Sequence, residues 1–329
     1  MTFELSVPPS AVIENGQVRA GRYASPVPIV NIDGSGLSRF RLKEWHYTAI
    51  TTKDYFVAFA VVQLGYAANV FAYVVPRARP ERVKQLEIVA PFGRGLTFAA
   101  SSTSGTTRFA SGENAITARH HATGFEADIR LTIDGARLSG HIVCENGASL
   151  ALVHALTQRR VAYTHKGNLY TTRGHLTFDG VPIPLEGGFA TIDWTRSQAR
   201  RETIWNWASF AGYDTQGRPI GLNLSANVYD DVRGHSEENA AYFDGRAIGL
   251  DGVDFTMPRS PDRMPWRITS KESDELELVF MPLGVREQNL DLGIVKSLFI
   301  QPFGTYSGRV LDRRVEGVFG VVEDHHAVW

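Results

Sequence analysis

The chain has 329 residues, 43% of them apolar and 21% charged, and its 34 basic and 35 acidic side chains leave a formal charge of −1. That length suits two domains or one large one, the composition excludes a disordered chain, and the charge balance supplies no overall pull toward nucleic acid or an acidic membrane surface. The single cysteine, Cys144, excludes an internal disulfide and a thiolate-rich metal cluster; it reads as a small core residue in a reducing, cytoplasmic setting.

Residues 1–10 carry neither a basic run nor an apolar run of signal-peptide length. The longest apolar stretch, residues 55–64, falls well short of the roughly 20 residues of a membrane span. From there on the dominant period is two, not 3.6, and predicts strands. Residues 41–50 alternate, with Leu42, Glu44, His46 and Thr48 on one side and Arg41, Lys43, Trp45 and Tyr47 on the other. Residues 55–64 and 68–75 form a pair around Gly65, and residues 125–133 and 138–143 form a hairpin about Asp134-Gly135. Strands follow over 150–156 and 169–178. Two stretches, 80–89 and 197–202, have helical character. Pro182, Pro184 and the Gly187-Gly188 pair then break the pattern. In the second half, strands are expected over 203–210, 219–228, 266–269, 275–281, 297–306, 307–311 and 316–322.

No repeat of 20–50 residues is present, which argues against a propeller or solenoid. The expected architecture is all-β: two lipocalin-like antiparallel β-barrels in tandem, over residues 1–184 and 185–329. Residues 1–165 carry 17 Lys/Arg against 12 Asp/Glu, and the remainder 17 against 23. This mild asymmetry suits two docked halves better than a nucleic-acid surface, because no basic cluster is interleaved with aromatics.

The usual catalytic signatures are missing. There is no G-x-G-x-x-G after a strand, no Walker loop, no H-E-x-x-H, no C-x-x-C and no G-x-S-x-G elbow. Residues 188–212 are instead dense in chemistry, with Asp193, Arg196, Arg200, Trp205 and Trp207. Trp205 and Trp207 share a strand face and suit stacking on a ligand. Asp193 suits an acid or base, and Arg196 or Arg200 an anion anchor. The same residues also suit a structural knot of ion pairs and core tryptophans. Asn223 shares a face with Ser225, opposite Leu222 and Leu224, and either orients a ligand or satisfies backbone. Glu238 and Asn239 lie in a polar loop before a strand. At the C-terminus Glu323 and His325 share one face, Asp324 and His326 the other; a carboxylate–imidazole pair suits proton transfer near neutral pH. Adjacent histidines point apart on a strand, so a metal site is not expected. In the first half His46, beside Trp45, is the favoured histidine, while His120-His121 reads as exposed.

Taken together, Gly188…Asp193-Trp-Thr-Arg196…Trp205-Asn-Trp207…Gly212, Asp214-Thr-Gln-Gly-Arg218…Gly221-Leu-Asn223, Glu238-Asn239…Phe243-Asp-Gly245, Met264-Pro-Trp266 and Gly320…Glu323-Asp-His-His-Ala-Val-Trp329 resemble the DUF2804 family. Lys43-Glu-Trp45-His and Asn69-Val-Phe-Ala-Tyr73 fit as well. Thr195-Arg196 departs from the Arg-Gly pair expected there. The family is distantly similar to carotenoid-hydratase-like and tocopherol-cyclase-like proteins. That resemblance implies paired lipocalin-like barrels acting on hydrophobic substrates without a cofactor, and it carries no catalytic residue set.

The expected function is a cofactor-independent lyase, isomerase or hydratase acting by acid/base chemistry on a hydrophobic or aromatic small molecule. Asp193 or Glu323, with a pKa raised by desolvation, or else His46 or His325, would carry the proton. Trp45, Trp205, Trp207, Asn223, Glu238 and Asn239 would bind substrate. The alternative is a non-catalytic carrier of a lipid or pigment, which needs only an apolar lining and one orienting polar group. No nucleic acid, metal or membrane span is expected, and a homodimer is compatible with the sequence.

Overall fold

A computed structural model describes residues 4–158, 160–291 and 296–329. Among them there is no α-helix, and no helix is long and apolar enough to cross a membrane. The chain forms two compact units. One is Val7–Ala199; the other is Arg200–Trp329 with the segment up to Ser6. Each is built on one curled antiparallel half-barrel sheet, as the alternating sequence pattern implies.

In the first unit the main path of the sheet runs Lys84–Pro91, Ala67–Pro76, Tyr55–Gln63, Leu42–Thr51, Phe189–Gln198, Arg160–Phe178, Ala136–Glu145, Gly124–Ile133, Asn114–His121, Gly105–Ser111 and Leu96–Thr97. Its turns use the residues that tolerate a left-handed backbone. Asp134-Gly135 and Asp179-Gly180 both have positive φ at both positions, the geometry that matches strand twist in a two-residue hairpin. The curl brings distant strands together: the backbone N–H of Gln85 donates to the Asp134 carboxylate at 3.0 Å. Val61 and Val70 from one arm then share a core with Phe109, Phe125 and Ile142 from the other. Cys144 is fully buried in that core, as expected of a small apolar side chain.

The 19-residue strand Arg160–Phe178 serves both arms. Its first half pairs with Ala148–Thr157 and Phe189–Gln198, its second half with Ala136–Glu145. The change of partner occurs at an irregularity between Gly167 and Tyr170, where Leu169 has φ 56°. A Cβ on Gly167 would lie 2.5 Å from the Tyr170 ring, so a glycine is needed for the bend.

The second unit's sheet runs Arg246–Gly249, Ala240–Phe243, Pro219–Ala226, Glu202–Tyr213, Arg313–Val328, Lys296–Val310, Leu276–Asp291, Trp266–Ser270 and Val253–Thr256. Phe210, Leu222, Leu224, Trp266, Phe280, Tyr306 and Val322 fill its core.

Several sequence-based expectations differ from this structure. Residues 80–89 contain one 3₁₀ turn at Pro80–Arg82 and then the strand Lys84–Pro91. Residues 197–202 form the end of one strand and the start of the next, not a helix. Propensity in so short a window is outweighed by sheet pairing on either side. The Pro182–Gly188 break is a turn that returns Phe189–Gln198 to the first sheet, between Leu42–Thr51 and Arg160–Phe178. The compact units divide later, between Ala199 and Arg200.

Candidate functional site

The second unit holds eight of the sequence-derived site residues. Strand alternation puts Trp205, Trp207 and Ser209 on the face opposite Ala208 and Phe210, which belong to the core. Register then places His325 directly across from Trp205, Glu323 across from Trp207, and Ser225 across from Trp207 on its other side. Phe299 lies across from His325. Aromatic contacts tie this row together: the His325 ring meets Trp205 edge-on at 4.1 Å and Phe299 at 5.0 Å. The Arg286 guanidinium lies 4.8 Å from the Phe299 ring centre. Gln301 Nε2 donates to Glu323 Oε2 at 3.4 Å. Arg286, Gln301, Glu323 and His325 are all buried.

The histidine is held uncharged. Burial, and after it the positive charge of Arg286, drive its pKa down to about 3. Nε2 lies 2.9 Å from Ser297 Oγ, while Nδ1, buried, has no hydrogen-bond partner. The tautomer that donates Nε2–H to Ser297 leaves a lone pair on Nδ1, the form of a general base.

Asn223, Glu238 and Asn239 support this face. Trp207 Nε1–H donates to Asn223 Oδ1 at 2.8 Å, and Asn223 Nδ2 donates to the Glu238 carbonyl at 2.8 Å. Asn239 Oδ1 accepts from the Ser225 backbone N–H at 2.7 Å, and its Nδ2 donates to the Asp251 carbonyl at 3.0 Å. Ser225 Oγ is 3.3 Å from Glu238 Oε2. Asn223 therefore holds the Trp207 indole in plane, and Asn239 pins the loop to the sheet. Arg200 is exposed, and its carbonyl accepts from Thr203 Oγ1 at 3.5 Å.

The first unit holds Trp45, His46, Asp193 and Arg196, divided between two faces. Asp193 lies across from Tyr47 on one side and Lys166 on the other, with half-buried Trp45 on the same face. Its Oδ2 pairs with Lys166 Nζ at 2.7 Å, and Thr195 Oγ1 donates to Oδ1 at 3.1 Å. The two side chains are only 5% and 13% exposed. Breaking a buried pair by removing one charge is costly because the other charge stays buried. The variant Asp193→Asn is thus expected to lose about 3 kcal/mol of stability in urea melts. A loss below about 0.5 kcal/mol would show that the pair is dispensable to the fold.

On the opposite face, Arg196 pairs with Glu44 at 3.1 Å. Burial raises the Glu44 pKa and the guanidinium partly offsets that rise. Beside this pair His46 sits within a group of buried histidines. Its ring is 4.8 Å from His120, and its Nε2 is 3.1 Å from Thr48 Oγ1. The expectation that His120 is exposed fails: it is 7% exposed, because Ile116, Ala118 and His120 alternate onto the core face.

Sequence reasoning missed Arg286, Gln301 and Ser297 beside His325. It also missed Lys166 beside Asp193, and His165 near His46. A separate cluster, His235, Asp251 and Glu272, has ligand-type atoms within 4.8 Å of one another. Its bonds are already made: His235 Nδ1 is 2.8 Å from Asp251 Oδ1, and Arg233 bridges to Asp231, Asp251 and Glu272. That is the arrangement of a loop-bracing network.

Comparison with known proteins supports the fold and the family. A family model described as a domain of unknown function, DUF2804, matches residues 4–329. No curated protein matches the sequence. Among solved structures, one of a putative AttH from Nitrosomonas europaea is similar over 92% of this chain and 98% of its own. The identity is 14% and the TM-score 0.50. Kievitone hydratase from Nectria haematococca is similar over 87% of this chain and 88% of its own, with 13% identity and a TM-score of 0.48.

Proposed function

We propose that this chain, which belongs to the DUF2804 family, is an acid/base enzyme of the hydratase, lyase or isomerase type, acting on a hydrophobic or aromatic small molecule. The observation that carries the reading is the buried, neutral His325. Its unpartnered Nδ1 lies on the same face as Glu323, Arg286, Trp205 and Trp207. The His325 imidazole, with its lone pair on Nδ1, removes a proton, while the Glu323 carboxyl delivers one to the substrate skeleton. In a hydration the proton goes to one carbon of the double bond, and hydroxide from the deprotonated water goes to the other. Arg286 balances negative charge that develops on a substrate oxygen, and Trp205 and Trp207 present flat faces to an aromatic ring. Asn223 and Asn239 are positioning residues. Asp193, paired with Lys166, is assigned to stability rather than to proton transfer.

The test uses a panel of aryl enones, 4-hydroxychalcone first, with the loss of enone absorbance and the gain of one water in mass followed over time. Deuterium incorporation from heavy water reports isomerisation. Glu323→Gln and His325→Gln should each slow the reaction between a hundred- and ten-thousandfold, with thermal midpoints close to wild type. Variants that turn over as fast as wild type would remove these residues from the mechanism. Tight enone binding with neither hydration nor deuterium uptake in the wild type would instead establish a carrier.

A further inference from the structure

We propose that the interior of the first unit is a second small-molecule site, in which Trp194 and His165 donate hydrogen bonds to the oxygen of a neutral aromatic ketone or phenol. The two residues are cross-strand neighbours in register, which starts their side chains about 5 Å apart on one face. Both are essentially fully buried, at 0% and 2% exposure.

Each carries a polar atom that the protein leaves unmatched. Trp194 Nε1 has no acceptor, and an indole nitrogen can only donate. His165 Nε2 is occupied, 2.8 Å from Ser149 Oγ and 3.5 Å from Tyr170 Oη, whereas Nδ1 has no partner. Where a hydroxyl donates to Nε2, the ring proton sits on Nδ1, and the face then presents two N–H donors side by side. Buried donors without acceptors are rare because each forfeits its hydration, so the pair calls for an acceptor from outside the chain.

The surroundings set the class of that molecule. Phe98 and Tyr163 pack on Trp194 at 5.7 and 5.8 Å, and Phe125 packs on His46 at 5.3 Å, so the neighbouring rings suit an aromatic body. The charge is specified too. Burial holds His165 near a pKa of about 3 and His120 near about 4, and drives His46 lower than usual, so none of the three offers a cation at neutral pH. Arg196, on the same face, is bound to Glu44. A carboxylate ligand would lose its hydration without meeting a free positive charge, whereas a neutral carbonyl or phenolic oxygen meets two donors. A metal is disfavoured by direction. The Nε2 atoms of His46, His120 and His165 are turned to three separate hydroxyls, those of Thr48, Thr107 and Ser149.

The probe is 2-acetylnaphthalene, with 2-ethylnaphthalene as the control that lacks the oxygen. Titration into ¹⁵N-labelled protein should move the Trp194 indole N–H resonance downfield with the ketone but not with the hydrocarbon; Trp194→Phe assigns the peak. Trp194→Phe should weaken the ketone about tenfold, the scale of one lost hydrogen bond, and change the hydrocarbon less than twofold. Glu323→Gln should bind the ketone in this interior as wild type does, which separates the outcome from that of the proposed reaction. Three results overturn the proposal. The first is an unmoved Trp194 resonance at saturating or millimolar ketone, with an indole–water contact persisting, which identifies structural water only. The second is equal ketone affinity in folded Trp194→Phe. The third is ketone binding lost in Glu323→Gln and kept in Trp194→Phe, which places the ligand in the second unit.

Discussion

Between pH 6.5 and about 4 the folded protein is expected to lose several kcal/mol of stability. The cause is four buried histidines. His120 is lowered to about 4, His165 and His325 to about 3, and fully buried His46 well below its ordinary value, in each case mainly by desolvation. In the unfolded chain these rings titrate near 6.5. Their folded pKa values are depressed, so their contribution is fully present above 6.5. It is lost as pH falls through the window down to the folded values, because the unfolded state then binds the extra protons. Near pH 5 each ring that protonates only on unfolding steepens the dependence by about 1.4 kcal/mol per pH unit, and four of them give on the order of 5. Glu44 acts in the opposite direction, because its raised pKa favours the folded state in acid, but it is one group with a partly offsetting arginine. Urea midpoints at pH 7, 5.5 and 4.5 and calorimetric proton uptake measure the effect. About four protons taken up per molecule at pH 5 are expected, and about three for His325→Gln. Stability that stays level from pH 7 to 4.5 would show that these rings are not buried in neutral form.

The variant Arg313→Met is expected to destabilise the second unit by about 3–5 kcal/mol. Arg313 opens the strand Arg313–Val328, and its side chain is 4% exposed. Its Nη2 donates to both Asp244 oxygens, at 3.0 and 2.9 Å, and its Nη1 is 3.6 Å from Asp214 Oδ2. The guanidinium also lies 4.2 Å from the Phe243 ring centre and donates to the Pro219 carbonyl at 3.4 Å. One side chain thus fastens the turn at Asp214, the hairpin at Asp244 and the last strand. Methionine matches its length and leaves the Asp214 carboxylate, 1% exposed, with Arg218 as its remaining cation. In a double-mutant cycle with Asp214→Asn, coupling above about 1 kcal/mol is expected, because the two groups share one buried network. Additive losses would show that Arg313 acts through Phe243 and Asp244 alone.

The alternating pattern carried much of the second unit into view. Period two is enough to put Glu323 with His325, Trp205 with Trp207, and Asn223 with Ser225, and register adds that these pairs lie side by side. What it could not supply was pairing between distant segments. Arg286 was missed because Pro282 and Gly284 look like the end of a strand. They form a bulge instead, and the strand continues to Asp291. A Cβ on Gly284 would lie 2.3 Å from the Phe303 ring, so the glycine marks close packing and not a stop. Lys166 was missed for a related reason: the strand begins at Arg160, nine residues before the alternation is plain at Leu169. Without that partner Asp193 resembled a catalytic acid. His120 looked exposed because the stretch around it is weakly patterned, although Ile116 and Ala118 already point to the core.

The pairing of Leu42–Thr51 with Phe189–Gln198 also governs how the protein can be made. Ile50 lies across from Ala190, about 140 residues later in the chain. At roughly 5–20 residues per second, a ribosome needs on the order of ten seconds to deliver the second strand after the first. Throughout that interval the Leu42–Thr51 edge, flanked by the apolar pair Tyr55–Gln63 and Ala67–Pro76, has no partner and offers its backbone to any other strand. Closure of the first half-barrel is therefore bound to be late in synthesis. A chaperone that shields that strand edge would raise the yield.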